Sequence, residues 1–127
     1  MLLIRVQCFS PHQTIHHNIF LREEIDETIF FNTFKIVETK IKRQLRINLN
    51  ESVWFYCGCV LNQLHSGTAV NEIRTNLSKI LSEEMVMIGV MELMKKIEIE
   101  IKIVSDHIIS HHIRLVKPIM TSKKSTA

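Results

Sequence analysis

Three glycines and two prolines in 127 residues leave little material for a turn-dense all-β sandwich, or for a Gly-rich loop that cradles phosphate. A basic stripe is missing as well. The 16 Lys and Arg residues stand against 13 Asp and Glu, a formal charge of +3, and the bases are scattered, so the electrostatic footprint of a nucleic-acid binder is absent. No stretch approaches the roughly 20 apolar residues of a membrane-spanning helix. The apolar start, Met1 to Phe9, is too brief and too polar afterwards for a signal peptide. Cys8, Cys57 and Cys59 are odd in number and match no disulfide framework, which points to a reduced, cytoplasmic setting. What is present is 46% apolar and 23% charged residues, enough for the core of one domain but not of two. That balance predicts a soluble, helix-rich chain.

Residues 1–20 show no clear period and read as an irregular N-terminal extension holding Pro11 and three histidines, His12, His16 and His17. From about residue 22, Ile25, Ile29 or Phe30, Phe34, Val37, Ile41 and Leu45 recur at steps of three and four, which predicts one face of a long first helix. Acids open it (Glu23, Glu24, Asp26, Glu27) and bases close it (Lys40, Lys42, Arg43, Arg46), the order that a helix dipole favours. Asn50 with Glu51 predicts the start of a second helix with Val53, Cys57, Val60, Leu61 and Leu64 inward, ended by Ser66-Gly67. A third helix carries Ile73, Leu77, Ile80 and Leu81. Ser82 predicts the cap of a fourth, with Val86, Val90, Leu93 and Ile97 inward. The period then becomes two. Ile97-Glu-Ile-Glu-Ile-Lys-Ile103 alternates strictly, as in a strand with one buried face. Residues 104–107 turn the chain, and Ile113, Leu115 and Val116 lie in a second extended stretch to Pro118-Ile119. The expected fold is therefore α+β, a four-helix domain over 21–119 that ends in a two-stranded antiparallel hairpin, followed by a polar tail at 120–127.

No constellation of reactive groups emerges. His16/His17 and His111/His112 are adjacent pairs, whose side chains point to opposite faces in a strand; His107 and His111 lack the Glu of a helical zinc motif. Cys57-Gly-Cys59 is a C-x-C without a second cysteine pair, and Cys57 belongs to an apolar stripe as a small core residue. Trp54, Phe55 and Tyr56 have no basic groove beside them on which a nucleic-acid base would stack. No nucleophile, base and orienting acid group together. The expectation is no catalytic, cofactor-binding or metal-ligating residue in this chain. Helix four is instead too apolar for a lone surface helix: Met85, Met87, Ile88, Met91 and Met94 spread beyond the inward face, which predicts an interface.

The order of elements and several residues resemble a known family. Leu45-Arg-Ile-Asn48 with Glu51-Ser-Val53, Gly67-Thr-Ala-Val70-Asn-Glu-Ile73, Leu81-Ser-Glu-Glu-Met-Val86 through Val90, and Ile97-Glu-Ile-Glu100 are similar to successive segments of the urease gamma subunit. They keep register without a gap from Leu45 to Ile101, and Glu24, Asp26, Phe31, Glu38 and Arg43 fall on family-like positions in the leading helix. Two stretches depart from the pattern. Asn62 to Ala69 loses the family's charges. The Ile103–Ile119 hairpin is longer by about three residues and lacks the glycine that tight turns use for φ > 0.

The resemblance implies a non-catalytic structural subunit of urease, a cytoplasmic hydrolase that splits urea into ammonia and carbamate. It implies that both nickel ions and the catalytic groups lie in the large subunit. The partners it implies are the large and middle subunits and copies of the chain around a threefold axis, with no nucleic acid and no membrane. A competing likeness, Val53 to Leu64 with Ser105 to Ile113, is to helical phosphotransferase-system regulation domains phosphorylated on histidine. In that reading Tyr56 stands where the first histidine is expected, and the alternating Ile97–Ile103 segment fits an all-helical fold badly.

Overall fold

The computed structural model describes residues 1–105 and 107–121. Leu2, Ile4, Val6 and Cys8 are buried and alternate with Leu3, Arg5, Gln7 and Phe9, which face away, so the first residues form strand β1 (Leu2–Phe9). The chain reverses where Ser10 N–H donates to Gln13 O at 2.9 Å, and returns as β2 (Thr14–Leu21). Helices α1 (Glu24–Lys42), α2 (Leu49–His65) and α3 (Val70–Leu77) follow. A 3-10 turn (Glu83–Met85) and a single-turn α4 (Val90–Leu93) lead into β3 (Lys96–Val104) and β4 (Ile108–Val116). The four strands form one antiparallel sheet in the order β2-β1-β3-β4. One face of it, carrying Ile4, Val6, Ile99, Ile101 and Ile113, joins Phe30, Phe34, Tyr56 and Leu61 of the helices in a single apolar core.

This corrects the expected four-helix domain closed by a two-stranded C-terminal hairpin. β3 and β4 are only half of a four-stranded sheet, and strands stand at both ends of the chain. The expected irregular extension at 1–20 is the other half. Its β1 lies at the centre, paired with β3 from Leu2↔Ile103 to Phe9↔Lys96. The expected fourth helix is also corrected. Val86, Val90 and Met94 are buried at helical spacing, but Gly89 has φ 94° and breaks the helix. Before it, backbone bridges pair Ile47 with Val86 and Ser82 with Met120, on either side of the 3-10 turn, so this stretch does not continue as an α-helix. Because residues 96–104 form a strand, the all-helical regulatory reading has no support. The second extended stretch, expected to hold Ile113, Leu115 and Val116, is β4, Ile108–Val116. Past Thr121 the tail lies outside the described residues, as does position 106.

The helix ends follow local chemistry. Asn48, not Asn50, caps α2: its side chain accepts the Glu51 N–H at 2.8 Å, and the Glu51 carboxylate accepts the Asn48 N–H at 3.0 Å. Lys40 of α1 donates to the same carboxylate, tying the two helices together at this end. Burial would raise the Glu51 pKa, but the Lys40 and Asn48 hydrogen bonds and the Lys40 charge outweigh it and hold the group below its ordinary value. At the middle of the pair, Phe34 lies flat on Phe55, with ring centroids 5.5 Å apart, and closes over Gly58. A Cβ on Gly58 would sit 2.1 Å from Phe34 Cδ2, so only glycine lets the helices approach this closely.

Gly58→Ala is therefore expected to destabilise the fold. Overpacking of about 3 kcal/mol exceeds the roughly 1 kcal/mol that alanine returns in helix propensity, a net loss of about 2 kcal/mol readable by urea denaturation. Lys40→Met is expected to lower stability at neutral pH. Glu51 has a depressed folded pKa, so its contribution is present above its unfolded value and fades as pH falls through the folded one. The gap between Lys40→Met and the parent chain should thus narrow, in melts run across pH, as pH falls from the ordinary carboxylate value through the lower folded one.

Candidate functional site

The sheet's outer face collects charge. Across β1, β3 and β4, Arg5, Glu100 and His112 stand in register, as do Gln7, Glu98 and Arg114. Glu100 lies 3.2 Å from His112 Nε2 and 3.9 Å from Arg5 and Lys102, and Arg114 Nε lies 3.6 Å from Glu98. Ion pairs at such distances on an open surface contribute little to stability. Glu98 and Glu100 each face a base across the sheet.

The histidines do not converge. His16 and His112 are on the outer face, His17 and His111 on the inner face of the two edge strands, and His65 ends α2 beside the Phe31 ring. His107 lies in the turn before β4. Among the described residues no three His, Cys, Asp or Glu side chains come close enough to share a metal ion, so the residues present do not fit nickel. The thiols are equally unsuited to ligation or attack. Burial pushes Cys8 up to about 11, burial and the Glu38 charge push Cys59 up to about 12, and Cys57 is raised further still. The aromatic run is committed to packing: Trp54 Nε1–H donates to Phe30 O at 3.0 Å, and the buried Tyr56 hydroxyl donates to Pro118 O at 3.0 Å.

The apolar surface is more informative. On α1, Phe30, Phe34 and Val37 are buried, whereas Ile25, Ile29 and Ile36 line the opposite side and are about 60% exposed (62%, 58% and 60%). The stripe expected from sequence spacing merged these two faces, since Ile25, Ile29 and Leu45 lie outside the core. A second apolar point is the bend after the 3-10 turn, where Met87 is 46% and Ile88 95% exposed. Beside it is a cleft of about 440 Å³ between Arg46 and the Met87, Ile88 and Met91 side chains. The bend is anchored at its base, with Ile47 N–H donating to Met85 O at 3.0 Å and Met87 N–H donating to Ile47 O at 2.8 Å. Of the methionines and isoleucine expected outside the core, Met87 and Ile88 are exposed but Met94 is buried; the exposure of Ile25 and Ile29 was not legible, because their spacing is that of a core stripe. No helix among the described residues is long and apolar enough to cross a membrane.

Comparison with known proteins gives the family. The sequence profile described as "Urease, gamma subunit" matches residues 19–113, most of the chain. The chain belongs to the urease gamma-subunit family. It is 27% identical over 78 residues to the urease subunit gamma of Prochlorococcus marinus subsp. pastoris, a match that spans 61% of this chain and 78% of the relative. The figures are the same for urease subunit gamma of Picosynechococcus sp., and the identity is 28% for that of Prochlorococcus marinus strain MIT 9312. The urease gamma match takes in all three long helices, β3 and part of β4, and it begins at the end of β2. Strand β1 and most of β2 lie outside it.

The buried thiols generate a prediction. In the native chain at about pH 8, Cys8 and Cys57 are expected to resist iodoacetamide, and all three cysteines should react in denaturant. Mass spectrometry of the alkylated protein counts them, and prompt native labelling of Cys57 would contradict its burial.

Proposed function

We propose that this chain is a non-catalytic structural subunit of a cytoplasmic urease. It packs on the large catalytic subunit, where the nickel ions are held, and on the middle subunit, and it supports an assembly around a threefold axis. The carrying observation is the family match over residues 19–113. The exposed apolar surface supports it: Ile25, Ile29 and Ile36 on α1, with Met87 and Ile88 on an anchored bend, are of the kind that marks contact with another subunit.

Co-expression of the chain with the urease large and middle subunits of its own source organism tests the reading. The expected outcome is co-elution of all three, with urea hydrolysis in the complex and none in the isolated chain. Replacing Met87 and Ile88 together by Glu should weaken co-elution at least about tenfold in affinity while leaving the circular dichroism spectrum unchanged, because both side chains point away from the core. Failure of the parent chain to associate with either subunit would overturn the assembly role.

A further inference from the structure

The N-terminal hairpin leaves the sheet with two free edges, β2 and β4. Natural edge strands are guarded against pairing by charged side chains, proline, bulges or short length. β4 has Arg114 and is followed by Lys117 and Pro118. Arg22 follows β2, with its guanidinium 5.7 Å from the centre of the Phe20 ring, but the strand itself has none of these guards. It runs for eight residues, Thr-Ile-His-His-Asn-Ile-Phe-Leu, without Lys, Arg, Asp, Glu or Pro, and pairs with β1 without a bulge along its whole length. Its inner-face residues Ile15, His17 and Ile19 are only half-buried, and Phe20 on the outer face is half-exposed. The same strand holds an unsatisfied group: among the described residues, His17 Nε2 is buried with no hydrogen-bond partner.

We propose that the outer edge of β2 is a self-association surface, on which β2 of a second copy adds antiparallel about a twofold axis, joining the four strands of each copy into one continuous sheet. An uncharged strand accepts an uncharged partner strand, and its own copy meets that requirement without like-charge repulsion. The β4 edge instead carries a charge of one sign, Arg114 with Lys117 beyond it. A twofold axis perpendicular to the sheet at Asn18 sets Asn18 opposite its own copy and keeps inner face beside inner face. It continues the half-buried Ile15 and Ile19 into an apolar strip across the junction. This surface is separate from the urease-subunit reading, because residues 14–18 precede the family match, and either conclusion stands if the other fails.

Sedimentation equilibrium of the full-length chain over about 1 to 100 µM is expected to show a monomer–dimer equilibrium. Asn18 lies on the outer face opposite Arg5 of the same chain. Asn18→Glu therefore gains a neighbouring base within its own monomer but meets its own copy across the axis. It should raise the dimer dissociation constant about tenfold or more with no loss of thermal stability. Mixing Asn18→Glu with Asn18→Lys should restore association as a heterodimer, a recovery that damage to the fold would not produce. A chain that is monomeric throughout, a dimer indifferent to Asn18→Glu, or a mixture that fails to re-associate would each overturn the proposal.

Discussion

The pairing of β1 with β3 is the constraint on which the rest of the structure rests. It joins the first residues of the chain to a strand some hundred positions later, and it is closed at its end by Val104 N–H donating to Met1 O at 2.8 Å. Without β1, β2 has no neighbour and the inner face of β3 loses the flank made by Ile4 and Val6, both essentially inaccessible to solvent. The α1, α2 and α3 helices are local structures, but the sheet that covers them is assembled from the two chain ends. Loop closure over that separation must be met before the central ladder contributes anything, so the sheet is the non-local part of folding.

The helical side is fixed by two close contacts of different character. Between α1 and α2 the absent side chain of Gly58 admits the Phe34 ring, and at the Asn48 end the Glu51 carboxylate serves the cap and Lys40 together. Between the helices and the sheet, Tyr56 reaches Pro118 just beyond β4. The stretch from Leu81 to Met87 is stitched on both sides, to Met120 by Glu83 N–H at 2.8 Å and to Ile47 by Met87 N–H at 2.8 Å. An exposed isoleucine on a slack loop carries little information. Ile88 stands directly beyond a doubly anchored segment, so its exposure is a fixed property of the surface.

Much of this was legible before the structure. Strict alternation from Ile97 to Ile103 identified β3, and the run of acids before bases located α1. The family match, residues 19–113, covers most of the stretch that the resemblance took in. β1 was missed although Leu2, Ile4, Val6 and Cys8 alternate, because Leu3 and Phe9 interrupt the polar set and turn the start into an apparent apolar run. β2 was missed because His17 occupies an inward position that periodicity expects to be apolar. The false fourth helix arose because Val86, Val90 and Met94 have helical spacing. Backbone pairing to Ile47 and Met120 and the left-handed Gly89 override it, and neither leaves a mark in apolar periodicity. For the surface, residue type does not distinguish Ile29 from Phe30; only the phase of α1 against the core does.

The hairpin also changes what the family-matched part of the chain offers to others. Residues 19–113 alone would leave the β3 edge bare along its length, whereas here β1 fills it. The attachment is two-sided. Beneath the sheet, Val6 and Ile4 sit against Ile99 and Ile101; above it, Arg5 approaches the Glu100 carboxylate that His112 approaches from β4. The hairpin is thus part of the core and of the charged face at once, and detaching it would expose apolar surface and strip Glu100 of a base. β3 consequently has no edge to give to a partner strand. The open strand edges lie at β2 and β4, and the exposed apolar residues away from the sheet lie on α1 and at the Met87–Ile88 bend. Contacts between strands and contacts between helices are therefore spatially divided in this chain. A subunit that docks on the helical side does not compete for the surface that its N-terminal hairpin presents.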